Sequence, residues 1–206
     1  MKYRELYPTH KSTDRRRMAK QIIFSDSISI TEIKDSKLDN WIETTLQKSK
    51  QNDDGVVVSN VGGYQTKPFL TKEITELLGG PAAIAIKDFT DTHFKFEMSN
   101  VWINENYKYS YNNCHFHGGC HYSGVYYYKV PKDSGQLEFH RTDATAFLNL
   151  YDFYKTPDTS SVFRINPLPG MLVVFPASFS HSVRQNMSEE PRVSVAFNFK
   201  IIDPDK

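Results

Sequence analysis

The sequence predicts a mainly β protein, a two-sheet roll supported on one side by helices. Three observations carry this. Helical spacing of apolar residues is confined to the first ninety positions. From about Phe94 the pattern changes to short runs rich in aromatic and β-branched residues, punctuated by Gly and Pro. The last of these runs alternates cleanly, with Arg192, Ser194, Ala196 and Asn198 on one face and Val193, Val195, Phe197 and Phe199 on the other. Polar residues facing a pocket with an apolar back against helices fit a ligand-holding roll.

Asp35 is placed to cap a helix that buries Leu38, Trp41, Ile42 and Leu46. A shorter helix starts near Thr71, carries Ile74, Leu77 and Leu78 on one face, and is expected to stop at Gly79-Gly80. Pro81 suits the first turn of the next helix, through Ile84 and Phe89. Gly62-Gly63-Tyr64 reads as a turn. The expected strands are Phe94 to Asn104, His115 to His117, Ser123 to Val130, Gln136 to His140, Val162 to Ile165, Met171 to Phe175, His181 to Arg184 and Arg192 to Ile201. Turns fall at Pro131-Lys132-Asp133-Ser134-Gly135 and Asn166-Pro167-Leu168-Pro169-Gly170. At 206 residues the chain reads as one domain, 1–206, with a helical support region over 1–93 and the β core over 94–206.

The net charge of +1 gives no electrostatic case for nucleic acid or a membrane surface. The run Arg15 to Arg17 reads as a solvated tail. No apolar run approaches the roughly 20 residues that span a bilayer. The polar N-terminus lacks a signal-peptide core, so the expected location is cytoplasmic. Cys114 and Cys120 fall in a Cys-His-Phe-His-Gly-Gly-Cys-His stretch that invites a zinc reading. Strand alternation opposes it, because Cys114 would face away from His115 and His117. Two reduced thiols are the expected state.

The same alternation aims His115 and His117 to one side. His181, far downstream, supplies a third imidazole, and Arg192 follows it by eleven residues. Three imidazoles on one side of a metal leave the other side open for substrate and O2, a variant of the two-His-one-carboxylate arrangement of non-heme iron oxygenases. Arg192 would add a guanidinium suited to a carboxylate. His10 and His93 have no partners in the sequence. His121 and His140 are candidates for lining the pocket, the latter sharing a face with Glu138. Tyr107, Tyr109, Tyr111, Tyr126 and Tyr128 read either as a peptide groove or as ordinary core and surface tyrosines.

From Trp102 to Asn198 the chain resembles the 2-oxoglutarate- and Fe(II)-dependent oxygenase superfamily, in particular its prolyl-4-hydroxylase-like branch and small phage and bacterial oxygenases. The resemblance is carried by Trp102-Ile103-Asn104, Asn112, His115-x-His117-Gly118, Ser123-Gly124-Val125-Tyr126-Tyr127 and Gly135-x-Leu137-x-Phe139. It continues through Pro169-Gly170, Phe175-Pro176, His181-x-Val183, Asn186, Arg192-x-Ser194 and Phe197-Asn198. It implies a double-stranded β-helix, a cupin-like jelly roll of about eight core strands behind N-terminal helices. It also implies Fe(II) as metal, 2-oxoglutarate as cosubstrate, and O2 as co-reactant.

The resemblance assigns His115 and His181 as iron ligands and puts His117 where a carboxylate is usual. It assigns Arg192, assisted by Ser194 and Tyr127, to the distal carboxylate of 2-oxoglutarate. Asn104 and Asn198 would line the pocket. His117 is the departure, and all-His iron sites belong to dioxygenases that do not use 2-oxoglutarate. Because Asp is the family's usual residue there, His117→Asp is expected to preserve metal binding. An imidazole fills the ligand position, which sets halogenation aside. Three functions therefore stand: a 2-oxoglutarate-dependent hydroxylase acting on a peptide or small metabolite, a three-His dioxygenase without 2-oxoglutarate, and a non-catalytic cupin-like binding module. The sequence leaves the oligomeric state open.

Overall fold

A computed structural model describes residues 27–90, 94–142 and 161–202. His10, Arg15 to Arg17 and His93 lie outside the described residues.

The chain opens with strand β1 (Ser29–Glu32) and helix α1 (Ser36–Asn52). Asp35 caps α1 as expected, its side chain accepting from the Lys37 amide, and Leu38, Trp41, Ile42 and Leu46 are buried. Two short strands follow, β2 (Asn60–Val61) and β3 (Tyr64–Gln65). Helix α2 (Lys72–Ile74) starts at the Thr71 cap and runs through a π turn (Thr75–Gly79) into α3 (Gly80–Thr90). The expected stop at Gly79-Gly80 does not occur, since Gly80 stays right-handed at φ −61°. A glycine ends a helix by turning left-handed, and nothing forces that here. Pro81 lacks an amide and its ring crowds the carbonyl four residues back. The wider π turn immediately before it gives the helix room to continue.

Eight longer strands complete the molecule: β4 (Lys95–Asn106), β5 (Tyr111–His115), β6 (Tyr122–Lys129), β7 (Leu137–His140), β8 (Val162–Ile165), β9 (Met171–Pro176), β10 (Ser180–Val183) and β11 (Arg192–Ile202). They form two antiparallel sheets, ordered β1-β9-β6-β11-β4-β3 and β2-β5-β10-β7-β8. This is the two-sheet roll expected of the sequence, with β1, β2 and β3 added at sheet edges from the region read as helical support.

The outward face of β11 does what its alternation requires. Val193, Val195, Phe197 and Phe199 join Val101, Ile103 and Met98 of β4, and all pack against Leu38, Trp41, Ile42, Ile74, Leu78 and Ile86 of the helices. A smaller apolar cluster fills one end of the space between the sheets: Tyr127, Val173 and Phe175 against Leu137, Phe139 and Ile165. Asn104, Asn106, Asn112, Arg192 and Ser194 line a cavity in that space together with Trp102 and Val183.

Gly124 of β6 sits beneath the Phe197 ring. A Cβ there would lie 2.3 Å from Phe197 Cζ and 2.8 Å from the Val173 carbonyl oxygen. Gly124→Ala should therefore lower stability by about 1–3 kcal/mol through overpacking. Urea unfolding measures this, and an unchanged midpoint would mean that the ring moves aside freely.

Candidate active site

His181 of β10 lies directly opposite His115 of β5 in the ladder, with ring centroids 4.3 Å apart. His117 arrives by a different route. The expected strand over His115 to His117 ends at His115. The chain then crosses toward the first sheet, and the His117 amide donates to the Ala177 carbonyl at 2.9 Å. Strand alternation is thus not what aims His117. Its ring nevertheless sits 5.2 Å from His115 and 5.1 Å from His181, stacked on Trp102 of β4 at 5.7 Å. One ligand atom from each of the three rings lies within 4.8 Å of the others.

Each ring has its Nδ1 tied back to an oxygen. His115 Nδ1 meets the Asn113 carbonyl at 2.7 Å, and His181 Nδ1 the Phe179 carbonyl at 2.9 Å. His117 Nδ1 meets Asn198 Oδ1 at 2.7 Å. A carbonyl can only accept, so each Nδ1 carries the proton and each Nε2 lone pair is left for a ligand. Burial holds all three rings below the ordinary histidine range, and His181, with positive neighbours disfavoured as well, is pushed down to about 3. Three neutral imidazoles facing one point are a metal-ligating set. They fit a divalent first-row metal without any proton having to leave.

The depressed His181 pKa has a stability consequence. Between about 3 and the ordinary value near 6.5 the unfolded chain binds a proton that the folded chain refuses. The stabilisation is complete above that ordinary value and is lost as pH falls toward about 3. In metal-free protein, the stability advantage of the parent over His181→Gln should shrink progressively as pH is lowered through this window. Melting curves of both proteins from neutral to acid pH measure it; a constant difference would contradict the burial effect.

The rings stand at one end of a cavity between the sheets, ≈ 60 Å³ in volume, whose walls also include Trp102, Asn104, Tyr127, Arg192 and Ser194. Register explains the arrangement. Tyr127, Ser194 and Asn104 are side by side across β6, β11 and β4, with Arg192 two positions along from Ser194. Arg192 is 1% exposed. One terminal nitrogen donates to the Ser134 carbonyl at 2.6 Å, while its Nε has no partner, and among the described residues no carboxylate pairs with it. Asn104 Oδ1 and Asn106 Oδ1 are likewise buried without partners. Burial works against the Arg192 charge, but a guanidinium stays protonated at neutral pH. Burial pushes the Tyr127 phenol up to about 12, with Arg192 pulling the other way. Tyr127 is therefore a neutral hydroxyl.

The Ser134 carbonyl was not legible as part of the site. It is aimed by Gly135, at φ 90°, where a Cβ would strike the Arg184 carbonyl oxygen at 2.1 Å. The turn signal at this place was visible in the sequence, but its role was not. Asn198, expected to line the pocket, stands behind His117 instead. His121 Nδ1 accepts from the Ile201 amide, and His140 bonds Ser182 Oγ at 2.7 Å beside Glu138, so neither belongs to the three-ring group. Cys114 and Cys120 are unpaired thiols outside the His group. Tyr126 and Tyr128 bond Asp39 and Glu43 of α1, which opposes a peptide groove built from the tyrosines.

The family described as putative 2OG-Fe(II) oxygenase matches residues 100–198, the segment that carries all three histidines and Arg192. This likeness is to a segment that makes up just under half of the chain. Solved structures share the fold. A prolyl-4-hydroxylase from Pseudomonas putida is 15% identical, with 87% of this chain and 95% of that one covered and a TM-score of 0.57. HygX from Streptomyces hygroscopicus, solved with nickel and 2-oxoglutarate bound, is 12% identical, with 85% and 82% covered and a TM-score of 0.55. The chain spans 55% of the length of a 2OG-Fe(II) oxygenase family oxidoreductase from Burkholderia pseudomallei, to which it is 16% identical over 62% of its own length, at a TM-score of 0.49. No curated protein matches the chain. Among the described residues, no helix is long and apolar enough to cross a membrane.

Proposed function

We propose that the chain is a hydroxylase that holds Fe(II) through Nε2 of His115, His117 and His181, and 2-oxoglutarate through Arg192. The observation that carries this is Arg192 itself: a guanidinium buried in the wall of the histidine cavity, with an unused Nε and no described carboxylate partner. A buried cation without an anion is costly, and a carboxylate resolves it. 2-Oxoglutarate has carboxylates at both ends, so one can meet Arg192 while the other end reaches the metal. HygX, of like fold, was solved with a divalent metal and 2-oxoglutarate together.

When bound, Fe(II) with 2-oxoglutarate and O2 supplies the oxidising chemistry, leaving succinate and CO2. The chain's residues orient and enclose. Arg192, fixed by Ser134, gives the cosubstrate one direction, and binding energy spent there is recovered as orientation. Ser194 and Tyr127 offer hydroxyls beside it. Asn104 adds an amide to the same wall. Phe175 and Leu137 keep that end of the cavity dry. The proposed substrate is a peptide side chain or a small metabolite.

The three imidazoles favour a second reading, a dioxygenase that does without 2-oxoglutarate. Arg192 separates the two. The protein loaded with Fe(II) in air should release succinate from 2-oxoglutarate slowly even without substrate. Absence of any Fe(II)-dependent succinate would sink the first reading and leave the second.

A further inference from the structure

Asn198 does more than border the site. It lies in a cross-strand row with Ser123 of β6 and Asn100 of β4, directly opposite both in the ladder. Its Oδ1 faces His117 Nδ1 at 2.7 Å and takes the Ser123 hydroxyl at 2.7 Å. Its Nδ2 donates to Asn100 Oδ1 at 2.9 Å. A metal on His117 Nε2 leaves Nδ1 protonated, and that N–H needs an acceptor. The row supplies one: the amide's oxygen end points at residue 117, and its nitrogen end is occupied on Asn100.

We propose that Asn198 is the positioning residue of His117, and that the Ser123–Asn198–Asn100 row fits the site to three imidazoles and against a carboxylate at 117. This rests on the three-His reading above. A carboxylate at 117 would meet an acceptor oxygen where the imidazole offers a donor. Asp is also too short to reach both the metal position and Asn198. Turning the amide over would take the acceptor from the Ser123 hydroxyl and force Asn100 to turn as well, so the whole row would have to rearrange. Trp102 closes the other face of the ring by stacking, a contact a carboxylate cannot replace. The expectation that His117→Asp preserves metal binding is therefore reversed.

Anaerobic Co(II) titration, followed by visible absorption, tests this on the whole protein. The parent should bind one Co(II). Asn198→Leu, close in size but without an acceptor, should bind roughly 10–100-fold more weakly and with an altered visible spectrum. Asn198→Asp keeps the acceptor and should stay within about threefold of the parent, with the parent's spectrum. His117→Asp should bind on the order of 100-fold more weakly than the parent. If Asn198 merely tied β11 to β4, Asn198→Asp would lose as much as Asn198→Leu and the spectra would not change. Melting of the metal-free proteins separates folding from ligation, and if Asn198→Leu fails to fold, Asn198→Asp and His117→Asp carry the test. Parent-like affinity in Asn198→Leu or in His117→Asp, while the parent binds Co(II), overturns this inference alone. Failure of the parent to bind Co(II) overturns the three-His reading beneath it.

Discussion

Arg192→Lys should weaken 2-oxoglutarate binding by more than roughly tenfold while leaving Fe(II) affinity nearly intact, and Arg192→Met should weaken it further. A charge-assisted hydrogen bond contributes about 1.5–3 kcal/mol, and the fork geometry lost on exchange to Lys forfeits at least one. The Ser134 carbonyl already takes one terminal nitrogen, so the Nε side is what remains for the ligand. Calorimetry with 2-oxoglutarate on Fe(II)- or Ni(II)-loaded protein measures this. Met leaves no cation in the wall and could even raise the stability of the ligand-free protein, since an unpaired buried charge is removed. Equal 2-oxoglutarate affinity in Arg192→Lys and the parent would move Arg192 to a structural role.

His181→Ala should reduce Fe(II) affinity by on the order of 100-fold or more, a loss larger than that from disturbing a ligand's hydrogen-bond partner. His181 is the most buried of the three rings, and its Nδ1 is fixed by the backbone of its own segment. The same exchange removes the ring against which Phe175 packs edge-on at 4.8 Å. Some stability should be lost with the metal, and a melt of the metal-free protein separates the two effects. His115→Ala should resemble it. Parent-like iron binding in either variant would require the site to be redrawn.

Much of this architecture was written in local pattern. The alternation of Arg192 to Phe199 is forced by having helices on one side and a polar cavity on the other, so it reads directly from the sequence. The Asp35 cap and the buried stripe of α1 are likewise short-range. Strands β2 and β3 are two residues each and carry no period to detect. The π turn before Pro81 depends on how the whole helix packs. His117 reaches the other two rings by a route that strand alternation does not give: its aim comes from Ala177, Trp102 and Asn198, none of them near it in sequence. The Ser134 carbonyl and the Ser123–Asn198–Asn100 row belong to turn geometry and strand register, which residue types alone do not reveal.

The most direct test is an anaerobic titration of the protein with Fe(II) and 2-oxoglutarate, watched in the visible. Three imidazoles and Arg192 acting together require a metal-to-ligand charge-transfer band. It should appear only when both are present, saturate with 2-oxoglutarate, and vanish in His181→Ala. In Arg192→Met it should demand far more 2-oxoglutarate. Tight Fe(II) binding with no band and no saturable 2-oxoglutarate binding would contradict the cosubstrate assignment and leave the three-His dioxygenase.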